Sequence, residues 1–211
     1  MKIISKGNLN ILYLNENADY SLNKCAFFDR DGVIIKDVNY LNDCKKIKFV
    51  DGIFDVLKFL KEENFLIGIV TNQSGIARGY LTIETFIKIQ KKIHTMLANQ
   101  NIELDFMMAC PYLKEGIHPF NESSIYRKPN PGMINEIIRL FEIDKTRSFL
   151  VGDRVTDIQC ARNAGIRRGY LFAPRDRSEI KKSSSLSHEK FDIKNIASHQ
   201  SFLKELKSLA I

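Results

Sequence analysis

Cys25-Ala26-Phe27-Phe28-Asp29-Arg30-Asp31-Gly32-Val33 is the stretch on which the reading of this chain turns. Four apolar residues predict a buried strand, and the strand ends on two carboxylates at i and i+2 followed by glycine. In such a turn both acids can face one pocket. The first can attack phosphorus or hold a metal, and the second can give and take a proton. Gly32 lets the backbone turn sharply. Asp and Gly are also default turn residues, so the weight of the motif depends on its neighbours.

To either side, strand and helix patterns alternate. Residues 52–63 carry apolar side chains at 53, 56, 57 and 60, which is helical spacing, and residues 65–70 read as a buried strand ending at Thr71-Asn72. Thr82 is placed to cap a helix with Phe86, Ile89, Ile93 and Leu97 on one face. A strand over 104–109, a helix over 132–141, a strand over 148–151, a helix over 155–164 stopped by Gly165, and a last short strand over 170–172 complete the series. This alternation predicts an α/β fold, a doubly wound parallel sheet with helices on both faces. Such sheets place ligands at the carboxyl ends of their strands, where Asp29, Asp31, Thr71 and Asp153 cluster. Three divisions are expected: an N-terminal extension over 1–23 able to form an edge strand, a main domain over 24–174, and a partly flexible tail over 175–211. Residues 201–210 are able to close that tail with a short amphipathic helix.

A chain of 211 residues is long enough to bury a full core without a disulfide or metal staple. Its longest apolar run, residues 65–70, is far short of the roughly 20 residues a membrane-spanning helix needs. The N-terminus shows no signal-peptide pattern. Four scattered cysteines with no C-x-x-C pair suit a reducing compartment, so a cytoplasmic location is expected and no membrane partner. The net charge of +7 permits nucleic acid, anionic surfaces or phosphorylated small molecules as partners and selects none of them.

Three further polar turns join the first. Thr71-Asn72-Gln73-Ser74-Gly75 offers a hydroxyl and several backbone N–H groups to an anion. Arg127-Lys128-Pro129 sets two cations before a helix start, and Gly152-Asp153-Arg154-Val155-Thr156-Asp157 adds two carboxylates after a later strand. With all four segments in this order, the chain resembles the haloacid dehalogenase-like phosphatases over about residues 24–173. Within that superfamily it resembles the branch holding heptose bisphosphate phosphatases and histidinol-phosphate phosphatases.

The resemblance implies a Rossmann-like haloacid dehalogenase fold without a large cap domain, the site being covered by the helix after Thr82 and the 110–127 loop. It implies a Mg²⁺-dependent phosphatase working through an aspartyl-phosphate. Asp29 is then the nucleophile, Asp31 the acid and base, and Thr71 and Lys128 hold the transferring phosphoryl group. Asp29, the Asp31 carbonyl, Asp153 and Asp157 are the implied Mg²⁺ ligands. Asp37, Asn39, Tyr40, Asn72, Gln73, Ser74 and Arg127 are the implied substrate contacts. The implied substrate is D-glycero-D-manno-heptose-1,7-bisphosphate, cleaved at the 7-phosphate on the route to lipopolysaccharide and other surface polysaccharide. Histidinol phosphate and a nucleic-acid 3′-phosphate are the alternatives, the latter set back by the spacing of Asp153, Asp157, Ala161 and Gly165. A monomer is expected.

The chain departs from this branch in one place. Many members carry a zinc loop that begins Cys-x-His and closes Cys-x-Cys before Arg-Lys-Pro. Here the segments are Cys110-Pro111-Tyr112 and Ser124-Ile125-Tyr126. Structural zinc wants four soft or borderline ligands, so no structural zinc is expected. The loop is expected to be held by packing of Tyr112, Phe120 and Tyr126.

Overall fold

The computed structural model describes residues 2–6, 10–172, 177–187 and 189–209. Among these residues eight strands form one sheet in the order β1-β2-β5-β4-β3-β6-β7-β8. They are β1 (Lys2–Lys6), β2 (Asn10–Leu14), β3 (Cys25–Phe28), β4 (Leu66–Asn72), β5 (Phe106–Cys110), β6 (Phe149–Gly152), β7 (Arg168–Leu171) and β8 (Asp192–Asn195). The pairs from β5 to β8 are parallel, while β1–β2 and β2–β5 are antiparallel. Among the described residues the α-helices are α1 (Ile53–Glu62), the single turn α2 (Ser74–Ala77), α3 (Ile83–Ala98), α4 (Gly132–Phe141), α5 (Val155–Ala164), α6 (Arg177–Ser184) and α7 (His199–Ser208).

The sheet is covered on both faces, which explains why its central strands are continuous apolar runs rather than alternating ones. Successive side chains on a strand point to opposite faces. Accordingly Ala26 and Phe28 of β3 join one core with Ile67, Ile69 and Val151, and the apolar stripes of α1, α3 and α7 close over it. Cys25 and Phe27 point the other way, into a second core with Leu66, Val70 and Leu150 under α4 and α5. Helix α3 starts where expected, the Thr82 hydroxyl accepting from Thr85 N. Its Phe86, Ile89, Ile93 and Leu97 are spent on the first core, so it is a layer of the sandwich rather than a cover for the site.

The expected edge strand is present as β2, which pairs antiparallel with β5, and β1 adds a further antiparallel strand beyond it. The strand over residues 168–171 is not the last: β8, from the segment read as tail, pairs in parallel with it. Helix α7 then packs beside α1 through Phe202 and Leu206. The residues after Phe172 that carry the chain to α6 lie outside those described.

Strand β3 sits where the chain order reverses, with β4 on one side and β6 on the other. That switch point opens a crevice beyond the carboxyl ends of the strands. Among the described residues no helix is long and apolar enough to cross a membrane.

Candidate active site

The crevice is a cavity of about 370 Å³. Strand β3 delivers Asp29 and Asp31 to it, β4 delivers Asn72 and Gln73, and the segment before α4 delivers Arg127 and Lys128. Asp37, Asn39 and Tyr40 form one wall and Ser74 another, while Arg154 and Asp157 approach from the start of α5. Asn39 and Tyr40 hold positive φ values of 48° and 60°, a backbone state that costs non-glycine residues energy and concentrates at functional sites. Thr71 is buried behind Gln73, whose Nε2 donates to its Oγ1 at 2.9 Å. Asp153 lines an adjoining cavity that shares Asp37 and Arg154 with the first.

Lys128 stands at the centre. Its Nζ donates to Val70 O at 2.9 Å and forms ion pairs with Asp29 Oδ1 at 2.9 Å and Asp157 Oδ1 at 2.6 Å. The side chains of Lys128 and Asp157 are each only 2% exposed. Burial by itself would lower the Lys128 pKa, but Asp157 and Asp29 overcome it and hold the ammonium well above the ordinary lysine range. Asn72 fixes the backbone of this residue: its Oδ1 accepts from Lys128 N and its Nδ2 donates to Lys128 O, both at 3.0 Å. The Asn72 amide thus builds the wall of the cavity by anchoring Lys128.

Asp29, Asp153 and Asp157 offer carboxylate oxygens within 4.8 Å of one another. Three carboxylates against the one ammonium of Lys128 leave two negative charges in a poorly hydrated place. The strain of that excess is visible in the proton affinities. Burial pushes Asp29 up to about 6, with Lys128 opposing and Asp157 and Asp31 adding to it. Burial pushes Asp153 up to about 8, reinforced by Asp29 and Asp157. Asp153 Oδ1 is buried with no hydrogen-bond partner. An orphaned carboxylate oxygen, hard oxygen donors and an excess of two negative charges together fit a divalent cation such as Mg²⁺. The Asp31 side chain lies outside this acidic group; its part in the implied ligand set is its backbone carbonyl.

Two glycines make room for the cluster. Gly32 has φ +81°, and a Cβ there would lie 2.4 Å from Asp153 Oδ2. A Cβ on Gly152 would lie 2.2 Å from Asp157 Cβ. Either addition would drive a side chain into a carboxylate of the group.

Arg30 is the residue that sequence reasoning passed over. Its guanidinium is buried against the Phe86 ring, 5.3 Å from the ring centre, and grips Asp31 through Nε and Nη2. An arginine flanked by a buried strand and a glycine turn was the available signal, since charged residues are rarely buried without a partner. Arg127 donates to Tyr112 O at 3.1 Å, and burial lowers its pKa. The 110–127 loop is held in part by the Tyr112–Phe120 ring contact, 5.8 Å between centres, with Tyr126 packed against the second core.

The model of the family described as polynucleotide kinase 3 phosphatase matches residues 24–199. The chain is 37% identical over 150 residues to the D-glycero-beta-D-manno-heptose-1,7-bisphosphate 7-phosphatase of Haemophilus influenzae, covering 71% of this chain and 82% of that protein. It is 37% identical over 164 residues to the D-glycero-alpha-D-manno-heptose-1,7-bisphosphate 7-phosphatase of Burkholderia mallei, covering 77% and 87%. Among solved structures it is similar to the D,D-heptose 1,7-bisphosphate phosphatase of B. bronchiseptica complexed with magnesium and phosphate. There the TM-score is 0.73 at 25% identity, covering 88% of this chain and 99% of that one.

Proposed function

Because the chain belongs to the polynucleotide kinase 3 phosphatase family, among the haloacid dehalogenase-like phosphatases, we propose that it is a Mg²⁺-dependent phosphatase that removes the 7-phosphate of a D-glycero-D-manno-heptose-1,7-bisphosphate. The observation that carries this reading is the meeting of Asp29, Asp31 and Lys128 in one cavity beside the Asp29–Asp153–Asp157 group. A cavity of about 370 Å³ suits a sugar phosphate.

Asp29, kept ionised by Lys128 despite burial, attacks phosphorus. The ester P–O bond breaks as the Asp29–phosphorus bond forms, and Asp31 gives its proton to the leaving alkoxide. Water then adds to phosphorus as the phosphorus–Asp29 bond breaks, Asp31 takes a proton from that water, and inorganic phosphate leaves. Lys128 holds the phosphoryl oxygens as charge spreads over them, while Thr71, buried behind Gln73, fixes that residue through its hydroxyl. Asp29, Asp153 and Asp157 would hold Mg²⁺, whose charge would offset the repulsion between the carboxylate and the phosphate oxygens. Arg127, Asp37, Asn39 and Tyr40 contact the sugar and its second phosphate. Free thiols at Cys25, Cys44, Cys110 and Cys160 support action in a reducing cytoplasm, and the enzyme works there as a monomer.

The test is phosphate release in Mg²⁺ from both anomers of heptose bisphosphate, histidinol phosphate and a 3′-phosphorylated oligonucleotide. Highest kcat/KM on one heptose anomer supports the assignment. Preference for the oligonucleotide, which the +7 charge would favour electrostatically, would replace it.

A further inference from the structure

We propose that Arg30 and Gln73 are positioning residues that lock the Asp31 carboxylate in one orientation and leave Oδ1 as its proton-carrying oxygen. The inference rests on the phosphatase reading and concerns the step after phosphoryl transfer to Asp29.

The two oxygens of Asp31 are treated unequally. Oδ2 accepts from Arg30 Nε at 3.1 Å, Arg30 Nη2 at 2.8 Å and Gln73 Nε2 at 2.9 Å. Oδ1 accepts only from Arg30 Nη2, at 2.9 Å, among the described residues. A carboxylate has about four lone-pair positions, two per oxygen, so Oδ2 is filled and Oδ1 keeps capacity. The quarter of the Asp31 side chain that remains exposed opens on the cavity shared with Asp29.

The clamp is itself held from behind. Gln73 is 6% exposed, and both hydrogens of its Nε2 are committed, one to Asp31 Oδ2 and one to Thr71 Oγ1. Its Oε1 accepts from Arg30 Nη2 at 3.0 Å, which closes a ring of Arg30, Asp31 and Gln73. Arg30 is 2% exposed at its side chain and lies on the Phe86 ring, yet its Nη1 is buried with no partner. A loop brace could be made more cheaply from apolar groups, because a buried ion pair is weak evidence for stability and an orphaned N–H adds a penalty. A planar fork that fixes both oxygens of a carboxylate is what arginine supplies and lysine does not.

Fixing the plane of Asp31 matters most when water attacks. The bond from water oxygen to phosphorus forms, the bond from phosphorus to Asp29 breaks, and the water proton passes to Asp31 Oδ1. The same proton goes to the leaving alkoxide in the next turnover. A small misplacement of a reacting group costs up to about a hundredfold in rate.

The experiment uses 4-nitrophenyl phosphate, whose leaving group needs little help from an acid, with Arg30→Met, Arg30→Lys and Gln73→Met. Phosphorylation of Asp29 should stay fast in all three while hydrolysis slows. We expect kcat to fall by about tenfold to a hundredfold and KM to fall with it, leaving kcat/KM within about twofold, because kcat/KM reports only the phosphorylation step. A pre-steady-state burst of 4-nitrophenolate near one per enzyme, larger than in the wild type, should accompany the loss. Arg30→Lys should not recover the rate, because it keeps the charge and loses the fork. Variants within about threefold of wild-type kcat, with no added burst, would overturn the inference. So would full recovery in Arg30→Lys. If Arg30→Met fails to fold, Gln73→Met decides from the other side of the ring. A wild-type protein inactive on every phosphate ester overturns the phosphatase reading and the clamp with it; an active wild type with unaltered variants overturns the clamp alone.

Discussion

Replacing Lys128 with methionine keeps the length of the side chain and deletes three donated hydrogen bonds, to Val70 O, Asp29 Oδ1 and Asp157 Oδ1. Asp157 suffers most, because its side chain is 2% exposed and water cannot replace the ammonium. Removing one partner of a buried pair costs about 3–5 kcal/mol, since the orphaned charge stays behind. At about 2–4 °C per kcal/mol for a chain of this size, the melting temperature should fall by roughly 6–20 °C. The assay is thermal melting in EDTA at neutral pH. Lys128 has its pKa raised in the fold, so its stabilising contribution is fully present below the ordinary lysine pKa and spans the whole working range. In the variant the deficit should shrink towards pH 4 as the carboxylates take up protons. The decisive construction is Asp157→Asn added to Lys128→Met. It removes the stranded charge and should recover at least about 1 kcal/mol, a non-additive result expected of groups in direct contact. Additive losses, or a Lys128→Met protein that melts with the wild type, would refute the claim that Lys128 is the counter-ion of the cluster.

Asp29→Asn should abolish turnover of 4-nitrophenyl phosphate without lowering the melting temperature, since an amide cannot form the acyl phosphate and the cluster loses a charge; near-normal turnover would refute the nucleophile. Folding raises the Asp153 pKa to about 8 and the Asp29 pKa to about 6. The metal-free protein therefore binds more protons folded than unfolded, and its stability should fall as pH rises from about 4 to about 8. The gain in melting temperature with Mg²⁺ should grow over the same interval, and a gain independent of pH would contradict the charge count. Arg127→Ala should raise KM for heptose bisphosphate about tenfold to a hundredfold, the value of a charged contact of about 1.5–3 kcal/mol. The loss on 4-nitrophenyl phosphate should be smaller, and equal losses would assign Arg127 to the phosphoryl group instead.

The strands from β3 to β7 were legible because their apolar runs are long, bounded by turn residues and separated by helices with clear apolar stripes. β1 and β8 were not. Ile3 and Ile4 sit among lysine, serine and asparagine, and Asp192–Asn195 is half-exposed and polar, so neither carries the hydrophobic signal of a buried strand. Both are edge positions of the sheet, where pairing is dictated by the neighbouring strand rather than by local pattern. At the site, the acids and Lys128 could be read from the order of four turns. The duties of Asn72 and Gln73 could not, because hydrogen bonding to Lys128, Arg30 and Asp31 depends on how β3, β4 and the 127–129 segment meet. The flanking strand and glycine turn mark Arg30 as buried, but its partner Phe86 could not be read, because it comes from a helix whose periodicity announces only a core face.

His199 opens α7, stacks on Phe172 and contacts the carbonyl of Val33, at the far side of the Asp-x-Asp-Gly loop, through Nε2 at 2.8 Å. Burial lowers its pKa, so the ring is neutral and Nε2 donates to the carbonyl. The two ends of that bond are 166 residues apart. On a ribosome making about 5–20 residues per second, Val33 is therefore synthesised about 8–33 s before His199. A nascent chain stalled before α7 carries Asp29, Asp31, Lys128, Asp153 and Asp157 but lacks the contact at Val33. The brace on this loop is therefore added late in synthesis, after the residues that gather in and beside the cavity.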